Sequence, residues 1–277
     1  MKKLTILKVG GAVVEDDAQL TQLLTDFAAI EGPKVLVHGG GRRATKTAER
    51  LGIETKMVEG RRITDAAMLE VVTMVYGGLV NKNVVARLQA LGVDAIGLTG
   101  ADANIILSVK RPPVAFPHPA PLTQHPTPNT QHPTPLIDFG FVGDVKKADG
   151  AKMAGFIEAG LVPVIAPLTH DGEGHLLNTN ADTMASEAAK TLAAAGYDVT
   201  LVFAFEKPGV LCNPDDDTSV IASITHDDFK RYRADGTISG GMVPKVENAL
   251  AAVDAGVRRV IITSAKAIDG RHGTVIS

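Results

Sequence analysis

The sequence has a single cysteine, no tryptophan and no long apolar run. The lone Cys212 excludes an internal disulfide, and no group of cysteines and histidines has the spacing of a structural zinc site. The first apolar stretch, residues 4–9, is too short for the core of a signal peptide and is soon followed by acidic residues. No other run approaches the roughly twenty apolar residues that span a bilayer. These absences favour a cytoplasmic protein.

The charged residues also show no large excess of one sign. The 28 lysines and arginines nearly balance the 31 aspartates and glutamates, and the formal charge is -3. The chain therefore has no broad electrostatic attraction for nucleic acid or for an anionic membrane. Its 277 residues are 45% hydrophobic, which is enough to bury the core of one large domain or of two joined lobes. Any anion that this protein binds must be held by local groups.

Short apolar runs rich in β-branched residues alternate with segments of helical periodicity. The runs predict buried strands at residues 4–9, 34–38, 93–98, 161–166, 199–205 and 259–263. The periodic segments predict helices at residues 18–30, 44–51, 66–91, 152–159, 181–195 and 244–255. Such alternation is typical of an α/β fold in which helices cover both faces of a mostly parallel sheet.

Residues 111–135 interrupt this alternation with a high density of proline. The sequence Thr-Gln-His-Pro-Thr-Pro occurs at residues 123–128 and again at 130–135, which predicts a mobile surface loop with polyproline II character. Its histidines, His118, His125 and His132, could bind a metal ion, but no acidic residue or cysteine accompanies them. The other interpretation is a duplicated loop insertion.

Two of the predicted strands end in glycine-rich loops. The first strand runs into Lys8-Val9-Gly10-Gly11, and the second ends in His38 followed by three glycines. Open α/β sheets bind ligands at the carboxyl ends of their strands, and glycines there let backbone N–H groups approach a phosphate. A tight turn from strand to helix is the other interpretation of such a loop. A Walker A motif is absent, so phosphates would be held by several separate loops and lysines.

The second loop also fits a loose dinucleotide-binding fingerprint. Gly39, Gly41 and Ala44 supply its small residues, and Glu59 stands in place of the acid that binds ribose. That fingerprint belongs to the first strand of its βαβ unit, whereas here it follows the second strand. Nicotinamide binding is therefore the weaker interpretation.

Two further segments carry candidate polar groups. Asn178, Asn180 and Asp182 surround the start of the predicted helix at 181–195, and either Asn180 or Asp182 could cap it. The groups not needed for capping could bind a carboxylate or hold a lysine in place. Lys245 falls near the start of the last predicted helix, where the macrodipole disfavours a cation by about 0.3–1 kcal/mol. A solvated lysine tolerates this cost, and a bound phosphate would remove it.

Five motifs, in one order and over nearly the whole chain, carry a family resemblance. They are Lys8-Val9-Gly10-Gly11, His38-Gly39-Gly40-Gly41, Gly60-Arg61-Arg62-Ile63-Thr64, Leu177-Asn178-Thr179-Asn180-Ala181-Asp182 and Gly241-Met242-Val243-Pro244-Lys245. With these motifs the chain resembles the acetylglutamate kinases. The resemblance implies the amino-acid kinase fold, a three-layer α/β/α sandwich with a mainly parallel central sheet. Residues 1–168 would form an amino-terminal lobe that binds an acyl amino acid and dimerises, and residues 169–277 a carboxy-terminal lobe that binds ATP.

The resemblance also implies roles for individual residues. Lys8 and Lys245 would stabilise the transferred phosphoryl group, Asp182 would position them, and Gly11 would add a backbone N–H. The implied substrate-binding residues are Gly40, Gly41, Arg62, Asn178 and Asn180, with the arginine on the α-carboxylate. The implied ATP-binding residues are Gly10, Glu206, Lys207, Pro208, Gly209, Val210, Leu211, Ser239, Gly240, Gly241 and Met242. Mg²⁺ would be bound mainly by nucleotide oxygens and water, and no protein residue is assigned as a metal ligand.

The implied reaction is the ATP-dependent phosphorylation of the side-chain carboxylate of N-acetyl-L-glutamate, a step of arginine biosynthesis. Because the motifs are shared, another N-acyl amino acid remains open as the acceptor, such as N-succinylglutamate or a carrier-linked aminoadipate. A non-catalytic metabolite sensor of the same fold is a third interpretation. Such a sensor would be expected to lack a phosphate-binding lysine, and both lysines are present here.

The chain departs from the family pattern in three places. Glu206 stands where aspartate is frequent, the segment from Ala265 to Gly273 is short, and the proline-rich insertion has no counterpart. Only three residues precede the first predicted strand, too few for the additional helix through which arginine-inhibited members form hexameric rings. The resemblance to shorter members therefore implies a homodimer that arginine does not inhibit.

Overall fold

A computed structural model describes residues 1–58, 60–115 and 136–277. Glu59, the three histidines of the insertion and both hexapeptide repeats lie outside the described residues, so the hypotheses that involve them stay predictions. None of the helices in the described ranges is long and apolar enough to cross a membrane.

The elements alternate along the chain as the sequence predicts. The strands are β1 (Lys2–Val9), β2 (Lys34–His38), β3 (Met57–Val58), β4 (Arg61–Arg62), β5 (Ala95–Leu98), β6 (Ile106–Lys110), β7 (Val114–Ala115), β8 (Leu136–Ile137), β9 (Gly143–Ala148), β10 (Val162–Ile165), β11 (Leu168–His170), β12 (Leu176–Asn178), β13 (Tyr197–Phe205), β14 (Ser223–Ile224), β15 (Arg259–Ser264) and β16 (Thr274–Ile276). The α-helices are α1 (Gly11–Glu15), α2 (Asp17–Ala29), α3 (Gly41–Arg50), α4 (Ala66–Val72), α5 (Asn81–Ala90), α6 (Gly150–Glu158), α7 (Ala181–Ala194), α8 (His226–Ala234) and α9 (Met242–Asp254).

An eight-stranded sheet forms the centre of the molecule. Its strand order is β14-β16-β15-β13-β1-β2-β10-β5, and its pairs are parallel except for β15 with β16. All six predicted strands belong to this sheet. The mainly parallel sheet of the predicted fold is therefore confirmed.

The side chains of β1 alternate between two buried clusters. Leu4 and Ile6 belong to a cluster with residues of α6, α7 and α9, whereas Leu7 and Val9 belong to a cluster with residues of α2 and α5. Successive side chains of a strand point to opposite faces, so helices cover both faces of the sheet and the three-layer sandwich is confirmed. The same alternation places Lys8 on the face that carries α7 and α9, and a register slip of one residue would move it to the other face.

A second sheet was not predicted. Its order is β12-β11-β6-β9, and β11 and β12 have only three residues each, which is too short for a clear periodic signal. The predicted border between residues 168 and 169 falls inside β11. The division into two lobes stays a prediction.

The helix predicted at residues 66–91 is divided into three parts. A π-helical segment, Thr73–Val80, separates α4 from α5 and contains Gly77 and Gly78. Glycine lowers α-helix stability by about 1 kcal/mol relative to alanine, and wider π turns often occur beside functional sites. Tyr76 of this segment lies against Gly40, and Asn81, which follows the segment, contacts His38, as described below.

Candidate active site

The carboxyl end of β1 places a buried lysine next to a carboxylate of α7. Lys8 is 6% exposed, and its Nζ lies 2.6 Å from Oδ1 of Asp182. Asp182 is the second residue of α7, whose cap is Asn180: the Asn180 Oδ1 accepts hydrogen bonds from the backbone N–H groups of Asp182 and Thr183 at 2.7 and 3.1 Å. Of the two capping candidates, Asn180 is the cap, and the Asp182 carboxylate is left to hold Lys8. A substrate contact by the Asn180 amide nitrogen stays a prediction.

A second lysine enters from α9. The Nζ of Lys245 lies 4.1 Å from the centroid of the Phe205 ring, and the Nζ of Lys8 lies 4.7 Å from the same centroid. Burial lowers the pKa of Lys245 below its ordinary value; the Lys8 charge adds to this effect, and Asp182 opposes it. The helix begins at Met242, two residues earlier than predicted, so Lys245 is its fourth residue rather than its second. Lys245 therefore lies at the end of the first turn, where the macrodipole disfavours a cation less strongly than at the second residue.

The two glycine loops lie directly against each other. A Cβ atom added to Gly39 would stand 3.0 Å from the backbone nitrogen of Gly11, and one added to Gly40 would stand 2.9 Å from Cδ1 of Tyr76. The backbone N–H of Gly10 donates to the carbonyl of Ala204 in β13 at 3.1 Å. Glycine is required here for close approach of two backbones and not only for a turn.

A neutral histidine, His38, forms a hydrogen bond with the backbone of the second glycine loop. His38 is fully buried, with Nδ1 2.8 Å from the carbonyl oxygen of Gly39 and Nε2 3.1 Å from Nδ2 of Asn81. The Asn81 Nδ2 also donates to the carbonyl of Val164 at 2.9 Å. These partners suit a neutral ring that donates from Nδ1 and accepts at Nε2, and burial lowers the pKa of His38 to about 4. The sequence gives no local sign of the contact between His38 and Asn81, which lie 43 positions apart.

The lysines and the glycine loops meet in a cleft of about 390 Å³ at the carboxyl edge of the sheet, here named the carboxyl-edge cleft. It is lined by Lys8, Gly10, Gly11, Ala12, Val13, Gly41, Arg42, Asp182, Phe205, Glu206, Lys207, Gly209, Met242, Lys245 and Ile262. Ten of these were candidate site residues, whereas Arg42 and Phe205 were not singled out from the sequence. Val210 and Leu211 are buried and do not line the cleft, nor do Pro208, Ser239, Gly240 and Gly241.

Of the predicted substrate-binding residues, Gly41 lines the cleft, Arg62 lies against the second glycine loop, and Asn178 and Asn180 are not in the lining. The Nη2 of Arg62 donates to the carbonyl of Gly41 at 2.9 Å and to Oγ1 of Thr45 at 2.8 Å. The Nδ2 of Asn178 donates to Oγ1 of Thr64 at 2.9 Å. These contacts place the guanidinium next to the loop that also borders the cleft.

Among the residues that the structure describes, one group of possible metal ligands lies elsewhere, in the exposed turn between β11 and β12. The ligand atoms of Asp171, Glu173 and His175 lie within 4.8 Å of one another. Asp171 accepts hydrogen bonds from the backbone N–H groups of Glu173 and His175 at 2.7 and 3.1 Å and pairs with the His175 ring at 2.7 Å. These hydrogen bonds order the turn and are enough to explain why the three side chains lie close together.

Comparison with protein families decides the identity of the fold, because the model of the amino acid kinase family matches residues 3–264. The chain belongs to the amino acid kinase family. Among members named acetylglutamate kinase, that of Bacteroides thetaiotaomicron is 59% identical over 275 residues, covering 99% of this chain and 98% of the relative. That of Phocaeicola vulgatus is 58% identical over 275 residues, with the same coverage. The solved structure of smu.665 from Streptococcus mutans superposes with a TM-score of 0.73 at 26% identity, covering 100% of this chain and 99% of that one.

Proposed function

We propose that this member of the amino acid kinase family phosphorylates the side-chain carboxylate of N-acetyl-L-glutamate with ATP, as a step of arginine biosynthesis in the cytoplasm. The observation that carries the proposal is the meeting of Lys8, Asp182 and Lys245 with two glycine loops in one cleft. The relatives named acetylglutamate kinase, at 58–59% identity over 275 residues, support this choice of substrate.

The chemistry needs charge neutralisation more than proton transfer. A glutamate side chain has an unperturbed pKa near about 4.3, so it is already an anion at neutral pH and needs no general base. It must meet a phosphoryl group that is also anionic, in line and without surrounding water. Lys8 and Lys245 offset the negative charge that builds up in the transition state, and the N–H of Gly11 adds a donor. The Asp182 carboxylate keeps Lys8 aimed into the cleft.

The hydrogen-bond donors of the cleft suit the phosphates of a nucleoside triphosphate. Two lysines and the backbone of two glycine loops suit phosphate oxygens. Its carboxylates, Asp182 and Glu206, already pair with Lys8 and Arg42 at 2.6 and 3.5 Å, so nucleotide oxygens and water would hold most of the Mg²⁺ coordination shell. The metal would add positive charge beside the transferred group.

The acyl amino acid would bind mainly to residues 1–168, on the amino-terminal side of the cleft, with Asn178 as an added contact. Arg62 would bind its α-carboxylate by two N–H groups, because a planar guanidinium matches a carboxylate. The backbone of Gly40 and Gly41 and the amide of Asn178 would orient the acyl amide and the reacting carboxylate. ATP would bind mainly to residues 169–277, against Glu206, Lys207 and the segment 239–242.

Release of ADP tests the proposed function directly. The purified chain is assayed with ATP and Mg²⁺ on N-acetylglutamate, N-succinylglutamate and a carrier-linked aminoadipate, with hydroxylamine trapping of the acyl phosphate. Lys8→Arg and Lys245→Arg should each lower kcat by at least about tenfold without unfolding the protein, since a guanidinium does not replace a compact ammonium at a crowded phosphate. Turnover on another acceptor would change the substrate only, whereas binding of N-acetylglutamate without turnover would support the sensor. Near-normal kcat in both variants would refute phosphoryl transfer at this cleft.

We further propose that the protein is a homodimer that associates through its amino-terminal lobes. Large apolar side chains exposed on that part of the chain support this: Leu51 (55%), Met57 (49%), Met74 (53%) and Leu79 (41%). Light scattering should give the mass of two chains, and the double variant Met74→Glu, Leu79→Glu should give the mass of one. A wild-type monomer would refute the dimer.

A further inference from the structure

The ring of Phe205 contacts both lysines of the carboxyl-edge cleft. Its centroid lies 4.7 Å from the Nζ of Lys8 and 4.1 Å from the Nζ of Lys245. The ring also borders the first glycine loop, because a Cβ atom added to Gly10 would stand 3.8 Å from its Cδ1. One aromatic side chain therefore contacts β1, the loop that follows it and α9.

The position of the ring is fixed by β13. Phe203 and Phe205 lie two residues apart on one face of this strand, and their rings stack with centroids 6.1 Å apart and planes 8° apart. Phe203 pairs in register with Lys8 and is 2% exposed. Because Phe203 is held in the core, the ring stacked upon it has little freedom to move.

Lys245 depends on this ring more than Lys8 does. Lys8 has the Asp182 carboxylate at 2.6 Å, whereas Lys245 makes no ion pair within 4.0 Å in the described residues. The negative face of an aromatic ring attracts an ammonium group, most strongly where water is excluded. Two like charges that share one ring also repel each other, so each needs a nearby group that fixes its place.

We propose that Phe205 is a positioning residue, whose ring holds the ammonium groups of Lys8 and Lys245 in place for a bound phosphate. This inference rests on the proposed function, because it concerns the same cleft. Phe205 contacts the lysines and acts on the transferred group only through them.

The ring also favours the charged form of Lys245. The charged groups that face this lysine are Asp182 on α7, Lys8 on β1 and Glu206 after β13. Burial already lowers the pKa of Lys245, and loss of a ring that stabilises the ammonium would lower it further. The alkaline limb of the kcat profile would then move to lower pH.

Three variants of the full chain test this inference. Phe205→Leu keeps apolar bulk and removes the ring, and it should lower kcat about tenfold while the KM for the acyl amino acid changes by less than about twofold. Phe205→Tyr keeps the ring and should restore both kcat and the alkaline limb. Phe27→Leu is the matched control, because Phe27 is fully buried in α2 and its ring lies 5.5 Å from the Nζ of Lys34. The control should lose stability and keep both the kcat and the pH profile of the wild type.

A measurement without substrate separates this inference from the proposed function. Competitive acylation of the free protein across a pH series reports the pKa of Lys245, which should fall in Phe205→Leu and stay at the wild-type value in Phe205→Tyr. If the wild type phosphorylates no acceptor, the proposed function fails and the acylation series still tests the ring. Unchanged Lys245 reactivity in Phe205→Leu, or equal impairment of the leucine and tyrosine variants, would overturn the role of Phe205.

Discussion

Replacement of Asp182 by asparagine isolates one negative charge of the candidate site. Asn180, not Asp182, caps α7, so the helix start is retained in Asp182→Asn. The size of the side chain hardly changes. What is lost is the carboxylate 2.6 Å from the Nζ of Lys8. The substitution therefore separates the charge of residue 182 from its place in the helix.

The expected magnitude follows from burial. The side chains of Lys8 and Asp182 are 8% and 16% exposed, so water screens the pair only weakly. Loss of one partner of a buried pair costs about 3–5 kcal/mol, because the other charge stays buried without compensation. The amide oxygen of asparagine retains part of the attraction, and loss of an acid from the first turn adds about 0.3–1 kcal/mol. We expect the free energy of unfolding to fall by about 2–4 kcal/mol and kcat to fall at least about tenfold.

Urea denaturation and initial rates of ADP release measure both effects. Asp198→Asn is the matched control: its side chain is also 16% exposed and pairs with a single cation, Arg258, at the other end of β13. Arg258 is 66% exposed, so this control should lose less than about 1 kcal/mol and keep its kcat. Full specific activity in folded Asp182→Asn, or a stability loss no larger than that of Asp198→Asn, would refute the reasoning.

Three further changes test other parts of the site. Arg62→Lys should raise the KM for the acyl amino acid far more than the KM for ATP, because lysine cannot make a bidentate carboxylate contact; a change in the ATP KM alone would contradict this. Gly39→Ala should lower kcat and the urea midpoint, since its Cβ would stand 3.0 Å from the Gly11 nitrogen, whereas Gly155→Ala in α6 has nothing within 4 Å and should be neutral or stabilising. His38 has a pKa of about 4 in the folded protein against 6.5 for the free side chain, so the unfolded chain binds more protons between these values. The free energy of unfolding should fall by up to about 3 kcal/mol as pH is lowered through that window, and a His38→Asn variant with the same slope would contradict this origin.

Six of the eight strands of the central sheet were predictable, because their apolar residues are buried on both faces of the sheet, whereas β14 and β16 have only two and three residues and were not predicted. Residues 34–38 are buried throughout, and a fully apolar run with turn signals at both ends predicts such a strand with its bounds. The second sheet gave no comparable signal. β9 has only one buried residue, Gly143, and β11 is three residues long, so pairing with distant strands rather than local sequence defines them.

Some features of the candidate site were likewise predictable from the sequence, and others were not. The positions of Lys8 and the glycine loops were predictable, because parallel strands have their carboxyl ends at one edge of the sheet. The choice between Asn180 and Asp182 as helix cap needed hydrogen-bond geometry, because both residue types are good caps. The contacts of Tyr76 with Gly40 and of Phe205 with Lys245 join distant parts of the chain, and no local pattern in the sequence indicates them.

The alternation of side chains along β1 between the two faces of the sheet determines which groups surround Lys8. Lys8 lies on the face that carries α7 and α9, so Asp182 and Lys245 both reach it. The Phe205 ring lies on the same face, on the neighbouring strand β13. A lysine one position earlier or later would point towards α2 and α5, into a cluster of apolar side chains and away from Asp182, and burial of its charge there would be costly. Two like charges at one ring repel each other, and the Asp182 carboxylate opposes this effect at Lys245, as a further anion in the cleft would. The sheet therefore holds the two lysines in an arrangement that a bound phosphate would stabilise, which is the requirement of a phosphoryl-transfer site.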